Sequence, residues 1–277
     1  MSEREAPGQT VDLFVSCLVD LFKPSTAVAA VAVLERRGTQ VGFPPGQTCC
    51  GQFAYNAGHW PEALAMAQNL LQALDARPAP DAIVGLSGSC VAMVLEEYPK
   101  LLAWAQGQLG AEAGEWAARH QRVAARLVEL SQWLSREAPA EAKSGPLLEV
   151  AWHTGCHMRR VLRAEGDGPR VLADLGVAAA DPADRDQCCG FGGTYAMAEP
   201  EISTALADEK LAALQAVGGS ALAGCDWGCL LHLGGRLSRT ENPWPVLHLA
   251  ELVDLADRGA ATPAGVAGAG RFVPEVP

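Results

Sequence analysis

Eight of the nine cysteines in this chain of 277 residues recur at one spacing. A shift of 139 residues superimposes Cys17 on Cys156, Cys49-Cys50 on Cys188-Cys189, and Cys90 on Cys229. Because an internal repeat marks the building unit of a fold, each half of the chain is predicted to carry the same four thiols. Thiolates hold iron–sulfur clusters, typically about four to a cluster. The spacing therefore predicts metal binding and favours iron–sulfur centres.

Both cysteine doublets continue into a glycine, Gly51 in the first repeat and Gly190 in the second. Neighbouring side chains usually diverge, so two adjacent cysteines can serve one site only on a tightly bent loop. Glycine takes the positive φ angles that such a bend requires. Gly192 and Gly193 also allow backbone N–H groups to approach sulfur, and such hydrogen bonds tune the potential of a cluster.

Zinc is the main alternative metal, since four cysteines also suit a tetrahedral zinc site. The short Cys-x-x-Cys pairs typical of zinc sites are absent from the sequence, and adjacent cysteines fit a tetrahedral ion poorly. A single buried cysteine is most often a small apolar residue. Four positions that repeat at one interval outweigh that interpretation.

The ninth cysteine and the histidines near the repeated cysteines leave several roles open. Cys225 faces Leu86 in the repeat and precedes Cys229 by four residues, so it could be a fifth ligand, a redox-active thiol or a bystander. Three histidines lie beside the repeated cysteines: His153, His157 and His232. A histidine in such a place more often supports a ligand through a hydrogen bond than binds the metal itself. That supporting role is predicted for His157 and His232, and for the doublet glycines.

The residues around the cysteines alternate between strand and helix patterns. The apolar runs VDLFV and LLEVAW lead towards Cys17 and Cys156 and are typical of buried parallel strands. The Pro-Glu pairs at 61–62 and 200–201 each begin a helix, because proline suits the first turn and glutamate the positive end of the dipole. The predicted class is α/β, with two pseudo-symmetric repeats, each a small parallel sheet flanked by helices, and a helical insert between them.

The repeats divide the chain into four predicted parts. Residues 10–100 and 149–239 form the two repeats, residues 101–148 a helical connector, and residues 240–277 a C-terminal helix with a flexible tail. Within the connector, an apolar stripe predicts a helix over Ala111–Arg136 that clasps the repeats together. The stripe consists of Trp116, Val123, Leu127, Leu130 and Leu134.

Composition and charge narrow the function classes. The net charge of −11 argues against a nucleic-acid partner, which would require clustered Lys and Arg. Apolar runs such as 27–34 are too short to cross a bilayer, and the first ten residues contain no signal-peptide core. We therefore expect a cytoplasmic protein without direct membrane insertion, where reducing conditions leave thiols free for metal. No acid–base or nucleophile constellation stands out, so no catalytic residue is predicted.

The order Cys…Cys-Cys-Gly…Cys, present twice, resembles the CCG (cysteine-rich) domain family of iron–sulfur proteins. That family includes the B subunit of heterodisulfide reductase and the iron–sulfur subunit of glycolate oxidase. The segments TCCGQFAYNAGH, SGSCVAM, QCCGFGGTYA and DWGCLLHLGGRLSR are more similar still to its lactate-utilisation protein A group. The resemblance covers nearly the whole chain, the insert and tail being the least distinctive parts.

The resemblance implies an iron–sulfur electron-transfer subunit of a complex that oxidises L-lactate to pyruvate. It implies one or two clusters, of [4Fe-4S] type, and partner subunits that include a ferredoxin-like iron–sulfur protein. Carried over residue by residue, the ligands are Cys17, Cys49, Cys50 and Cys90 in one site and Cys156, Cys188, Cys189 and Cys229 in the other. Heterodisulfide reductase ends each repeat with Cys-x-x-Cys, whereas this chain has Cys90-Val-Ala-Met93 and Cys225-Asp-Trp-Gly-Cys229. Five thiolates are therefore not expected in the first repeat, and the second reaches five only if Cys225 turns inward.

Two other functions remain in view. The first is a cluster-dependent thiol–disulfide reductase subunit, for which the extra Cys225 is the best supporting feature. The second is a structural zinc-binding scaffold without redox chemistry. Changing Cys225 to serine should abolish disulfide reduction by the reductase, whereas it should leave lactate-dependent electron flow intact in the electron-transfer subunit. The zinc scaffold predicts zinc without sulfide.

Overall fold

Two four-stranded parallel sheets form the centre of the protein. The computed structural model describes residues 9–76, 78–136, 148–241 and 243–269. The strands of the first sheet are β1 (Thr10–Phe14), β2 (Gln40–Gly42), β3 (Ala82–Gly85) and β4 (Leu127–Glu129). The strands of the second are β5 (Leu148–His153), β6 (Val177–Ala180), β7 (Leu222–Gly224) and β8 (Val246–His248).

Helices cover the sheets and fill the connections between strands. In the first half they are α1 (Cys17–Phe22), α2 (Pro24–Arg36), α3 (Gln52–Asn56), α4 (Trp60–Asp75), α5 (Gly88–Ala92), α6 (Tyr98–Trp104), α7 (Gln106–Leu109), α8 (Ala113–Ala124) and α9 (Leu130–Leu134). A π-helical turn (Met93–Glu97) joins α5 to α6, and a 3₁₀ turn (Gly110–Glu112) precedes α8. In the second half they are α10 (Cys156–Arg160), α11 (Asp167–Asp174), α12 (Tyr195–Ala198), α13 (Pro200–Val217), α14 (Trp227–Leu237), α15 (Leu249–Asp257) and α16 (Pro263–Ala269).

The two sheets have the same strand order, which confirms the predicted fold class and its internal repeat. The orders are β2-β1-β3-β4 and β6-β5-β7-β8, and all neighbouring strands run parallel. In each sheet, the second strand along the chain lies on one side of the first strand and the third lies on the other side, so the direction in which strands are added reverses. Ligand sites of α/β proteins form at such a reversal, beyond the carboxyl ends of the strands. The repeated cysteines all follow these ends.

The predicted helical connector contains a strand, β4, which is the fourth strand of the first sheet. A single helix over Ala111–Arg136 is wrong, because β4 interrupts it and pairs in parallel with β3. Leu127 and Val128 are buried there by sheet packing, which an apolar stripe at helical spacing cannot distinguish from helix packing. The equivalent strand β8 likewise lies beyond the predicted second repeat.

Two pairs of packed helices, rather than one connecting helix, hold the two halves together. Helix α2 of the first half packs on α15 of the second, and α11 of the second packs on α9 of the first. Arg36 pairs with Asp254 and Asp257 across the first contact. Beside it, the buried Trp227 indole donates a 2.8 Å hydrogen bond to the hydroxyl of Thr26. One hydrophobic core consequently runs through both halves.

Equivalent residues of the two repeats meet each other directly. Ser87 and Asp226, which differ by 139 positions, cap the helices α5 and α14. The Ser87 hydroxyl donates to Asp226 Oδ2 at 3.0 Å, and the Ser89 amide donates to the same oxygen at 2.8 Å. Contacts between equivalent positions arise when a pseudo-twofold axis passes between them. The two sets of strand ends therefore face one another across this axis.

The C-terminal region is more ordered than predicted over part of its length. The predicted C-terminal helix is present as α15, and a further short helix, α16, follows it. Ala261 and Val266 are buried, so a loosely packed tail from residue 260 is wrong for 260–269. Residues 270–277 of the predicted flexible tail lie outside the described residues. Within the described ranges, no helix is long and apolar enough to cross a membrane.

Glu129 and His248 occupy equivalent places and have opposite pKa shifts. Each ends the fourth strand of its sheet, is fully buried and caps the next helix through a capping box. Burial raises the pKa of Glu129 from 4.5 to about 7. Burial lowers the pKa of His248 from 6.5 to about 4. In both cases the low-dielectric interior disfavours the charged form.

These shifts predict two opposing contributions to the pH dependence of the free energy of unfolding. Between pH 4.5 and 7 the folded chain retains a proton on Glu129 that the unfolded chain has lost, so stability falls as pH rises. Between pH 4 and 6.5 the unfolded chain binds a proton on His248 that the folded chain does not, so stability rises. Each contribution amounts to about 3 kcal/mol, and the two nearly cancel from pH 4.5 to 6.5.

Glu129→Gln is therefore expected to uncover the histidine contribution. The free energy of unfolding of this variant, measured by urea denaturation under reducing conditions, should rise by about 3 kcal/mol relative to the wild type between pH 4.5 and 6.5. Glu115→Gln, at a side chain that is 70% exposed, is the matched control and should follow the wild-type curve. Parallel curves for Glu129→Gln and wild type would contradict the assignment.

Candidate metal centre

The eight repeated cysteines line one cavity between the two halves of the protein. The cavity has a volume of about 140 Å³. Its thiols come from both repeats: Cys17, Cys49, Cys50, Cys90, Cys156, Cys188, Cys189 and Cys229. All nine cysteines of the chain are free thiols, so disulfides do not account for the clustering. The two predicted ligand sets are thus brought together in one place.

In the first set, the four thiols follow three strands, because Cys49 and Cys50 share the loop after β2. Cys17 begins α1 directly after β1, and its Sγ lies 3.5 Å from that of Cys49. Cys50 follows in the loop between β2 and α3, and its Sγ lies 3.3 Å from that of Cys90 in α5. The doublet therefore connects the thiol after β1 to the thiol after β3.

The second set repeats this arrangement. The Cys189 and Cys229 sulfurs are 3.0 Å apart, and Cys156 hydrogen-bonds to Cys188. The backbone amide of Gly190 donates to Cys188 Sγ at 3.4 Å. An amide aimed at sulfur is the type of contact that stabilises a thiolate and adjusts the potential of a cluster.

One thiol of each set is strongly favoured as a thiolate, and in the second set a hydrogen bond with Cys189 also lowers the pKa of Cys229, to about 7. Hydrogen bonds from Cys17 and then Cys50 lower the pKa of Cys49 to about 3. Hydrogen bonds from Cys156 and then Cys189 lower the pKa of Cys188 to about 2. The donating thiols have raised pKa values in turn. Because the thiolate is the form that binds metal, each set contains a donor prepared for it.

The two doublet glycines have the backbone angles that the sequence predicts. Gly51 has φ of +80° and Gly190 has φ of +85°. Gly190 is also closely confined, since a Cβ at this position would lie 2.3 Å from the carbonyl oxygen of Ser203. The Ser203 hydroxyl donates to the carbonyl of Gly190 at 2.8 Å, which fixes the loop to α13. The bend that places both doublet thiols in one site therefore depends on glycine.

Cys225 does not belong to the thiol cluster. It lies at the end of β7, is 3% exposed and does not line the cavity. Burial raises the pKa of its thiol well above the ordinary value, and the nearby carboxyl of Glu129 adds to the effect. A buried thiol of this kind is inert. The interpretation of Cys225 as a bystander fits this position, whereas inward rotation to a fifth ligand does not.

The histidines lie at different distances from the thiols. His157 lines the cavity, where its Nε2 is 3.3 Å from the side-chain amide of Gln52. His232 is outside the lining residues and bonds to the Ser203 hydroxyl at 3.2 Å, so it supports the Gly190 loop indirectly. His153 has one ring nitrogen that lies within 4.8 Å of the sulfurs of both Cys189 and Cys229. The sequence pattern did not single out His153 above the other two.

Aromatic and glycine contacts close the cavity between the halves. Phe53 of the first half meets Phe191 of the second edge to face, with ring centroids 5.9 Å apart. Gly193 lies against Phe53 so closely that a Cβ would be 2.7 Å from its ring. The contact between Phe53 and Phe191 was not predicted, because these residues are distant in sequence. They contribute apolar surface to the lining of the cavity.

The donor set fits an iron–sulfur centre or another thiophilic metal. Four thiols converge in each half, each set contains a favoured thiolate, and a backbone amide points at one sulfur. Thiolate ligands and hydrogen bonds to sulfur are the features by which proteins hold such clusters. Zinc also accepts thiolates and imidazole, so the donor types alone do not separate the two metals.

Comparison with known proteins places this fold and site in a class. The family model of the CCG cysteine-rich domain matches the chain twice, over residues 11–95 and 150–234. The chain therefore belongs to the CCG cysteine-rich domain family, which confirms the resemblance seen in the sequence.

Curated relatives identify the group within that family to which the chain is similar. It is 36% identical over 250 residues to lactate utilization protein A of Bacillus pumilus, covering 88% of this chain and 98% of that protein. It is 39% identical over 247 residues to lactate utilization protein A of Geobacillus kaustophilus, with the same coverage. A crystal structure of a hypothetical protein from Helicobacter pylori shares the fold, with a TM-score of 0.57 and 15% identity over 95% of this chain. The present chain spans about half, 51%, of that protein's chain.

Proposed function

We propose that this chain is the iron–sulfur electron-transfer subunit of a cytoplasmic complex that oxidises L-lactate to pyruvate. The observation that carries the proposal is the convergence of all eight repeated cysteines on one cavity. Lactate enters the proposal through the relatives, which are named lactate utilization protein A. The present chain matches them over almost their entire length. The partners would be other subunits of that complex, including a ferredoxin-like iron–sulfur protein that exchanges electrons with this one.

In this proposal each set of four thiols holds one centre, of [4Fe-4S] type. Such a centre accepts and donates electrons one at a time. The protein contributes the ligands, the amide of Gly190 that hydrogen-bonds to sulfur, and the apolar surroundings formed by Phe53 and Phe191. Because both sets line the same cavity, two centres would be close enough to exchange electrons with each other.

Metal and sulfide analysis of protein purified without oxygen tests the proposal directly. We expect iron and acid-labile sulfide near eight per chain, about four for each centre, together with an EPR signal on reduction. Co-purified with its partner subunits, the protein should become reduced when L-lactate is added and remain oxidised with D-lactate. Zinc without sulfide would overturn the proposal and favour a structural scaffold.

The cavity that the two sets of thiols share favours one further candidate, a thiol–disulfide reductase subunit. Cleaving a disulfide requires two electrons and two protons and yields two thiols, and two adjacent centres could supply both electrons. Cys225 no longer supports this function, since it is buried away from the cavity. Reduction of the centres by a dithiol but not by L-lactate with the partner subunits present would favour this candidate.

A further inference from the structure

His153 makes the second set of thiols chemically different from the first. It is the last residue of β5, and its side chain is buried with 2% exposure. Neither of its ring nitrogens has an oxygen or nitrogen hydrogen-bond partner among the described residues. Burying an imidazole without such partners is unfavourable, so this position calls for another interaction. The atoms available for that interaction are sulfurs.

A ring nitrogen of His153 and the sulfurs of Cys189 and Cys229 all lie within 4.8 Å of one another. These three donors come from β5, the doublet loop and α14; Cys189 and Cys229 line the cavity, whereas His153 does not. Imidazole nitrogen and thiolate sulfur are both established ligands of iron, and histidine replaces cysteine in some iron–sulfur centres. The arrangement has the donor types and the proximity that a shared metal requires.

The first set has no equivalent donor. Phe14, the last residue of β1, stands 139 positions before His153 and is 1% exposed. It packs in the same apolar cluster as Cys50 and Cys90, which are the counterparts of Cys189 and Cys229. The first half therefore has a phenyl ring at the position where the second half has the imidazole ring.

We propose that His153 is a ligand of the centre held by the second set of thiols. The inference rests on the proposed function and specifies the coordination at one of its two centres. The sequence left room for a fifth donor in the second repeat and suggested Cys225 for it. The geometry points to His153 instead, so the second centre has nitrogen as well as sulfur ligands and the first has sulfur alone.

Pulsed EPR of the reduced protein, prepared with ¹⁴N- or ¹⁵N-labelled histidine, tests the assignment. We expect a nitrogen coupling as large as that of a directly bonded imidazole, which changes with the isotope. His153→Phe, which copies the first repeat, should remove this coupling. His157→Asn is the matched control, since His157 adjoins Cys156 but bonds to Gln52, and it should retain the coupling. Phe14→His adds a test of gain, because it should introduce a second coupling at the first centre.

The outcomes separate this inference from the proposed function. Protein that contains iron and sulfide but has no isotope-sensitive coupling, or only the weak coupling of a hydrogen bond, would overturn the role of His153 and leave electron transfer intact. A coupling that survives His153→Phe would also overturn it. Protein with zinc and no sulfide would overturn both. The isotope comparison on the wild-type chain can overturn the inference without any variant, and His153→Phe assigns an observed coupling to this residue.

Discussion

Replacing Cys189 with serine is expected to halve the iron and sulfide content of the protein. Cys189 is 3% exposed, lines the cavity and lies 3.0 Å from Cys229, so its loss removes a central donor from the second set. Serine has nearly the same size but is a poor ligand for iron at neutral pH, because its hydroxyl stays protonated. The first set has four thiols of its own and should keep its centre.

Cys225→Ser is the matched control for this prediction. Cys225 comes from the same repeat and is equally buried, at 3% exposure, but it lies outside the cavity. This variant should keep the full iron and sulfide content, although a buried hydroxyl lowers its stability somewhat. Iron and sulfide assays on protein purified without oxygen, normalised to chain concentration, provide the measurement. Equal losses in both variants would show that iron content follows folding rather than ligation.

The reciprocal variant Cys50→Ser distinguishes two separate centres from one shared group. Cys50 has the same place in the first set as Cys189 in the second, and it is also 3% exposed. If each set holds its own centre, Cys50→Ser should also lose about half of the iron, and the double variant nearly all of it. If the eight thiols instead share one group, either single variant should lose all of it.

The grouping of the four cysteines within each repeat could be predicted from the sequence, because each of these cysteines follows the end of a strand. Cys17 and Cys156 follow apolar runs that form parallel strands, and the ends of parallel strands meet at one edge of a sheet. The bent doublet loops could be predicted for a similar reason, since only glycine readily takes φ values near those of Gly51 and Gly190. Both are local features, and local features are visible in a sequence.

The fourth strands could not be recognised from the repeat, because the two halves differ in length before this strand. Glu129 and His248 are equivalent, yet they are 119 residues apart rather than 139, because the first half has 20 more residues before its fourth strand. A comparison at the fixed spacing therefore aligns β4 with unrelated residues. The apolar pattern of 127–134 then fits a helix as well as it fits the strand and short helix that are present.

The contacts of the site that join residues distant in the chain could not be predicted from a sequence pattern. The common cavity depends on how α2 packs on α15 and on contacts such as Phe53 with Phe191, which join residues far apart in the chain. His153 is an intermediate case. The repeat aligns it with Phe14, so a polar side chain stands where the other half has an apolar one. Such a departure from an otherwise regular repeat is the signal that the sequence carries for a special role of His153.

Gly190→Ala is expected to destabilise the protein strongly and to disrupt the second set of thiols. The φ of +85° costs a residue with a side chain roughly 1–2 kcal/mol. The added Cβ would also lie 2.3 Å from the Ser203 carbonyl oxygen, which belongs to the backbone of the long helix α13 and cannot easily move. Overpacking of this kind costs about 1–3 kcal/mol more. We therefore expect a loss of about 3 kcal/mol or more in the free energy of unfolding.

Two further glycines make this prediction specific to steric confinement. Gly51→Ala shares the positive φ, but its Cβ would lie 3.2 Å from the nearest atoms, which need to shift by only a few tenths of an ångström, so the conformational cost of about 1–2 kcal/mol should dominate. Gly235→Ala lies within helix α14 with nothing inside 4 Å of the added Cβ, and should stabilise the protein by about 0.5–1 kcal/mol. Chemical denaturation of the three variants under reducing conditions gives the ranking. Because the Gly190 loop carries Cys188 and Cys189, its displacement should also lower iron content, whereas Gly235→Ala should leave it unchanged. Equal effects of Gly190→Ala and Gly51→Ala would show that the loop yields to the added methyl group and that backbone conformation alone sets the cost.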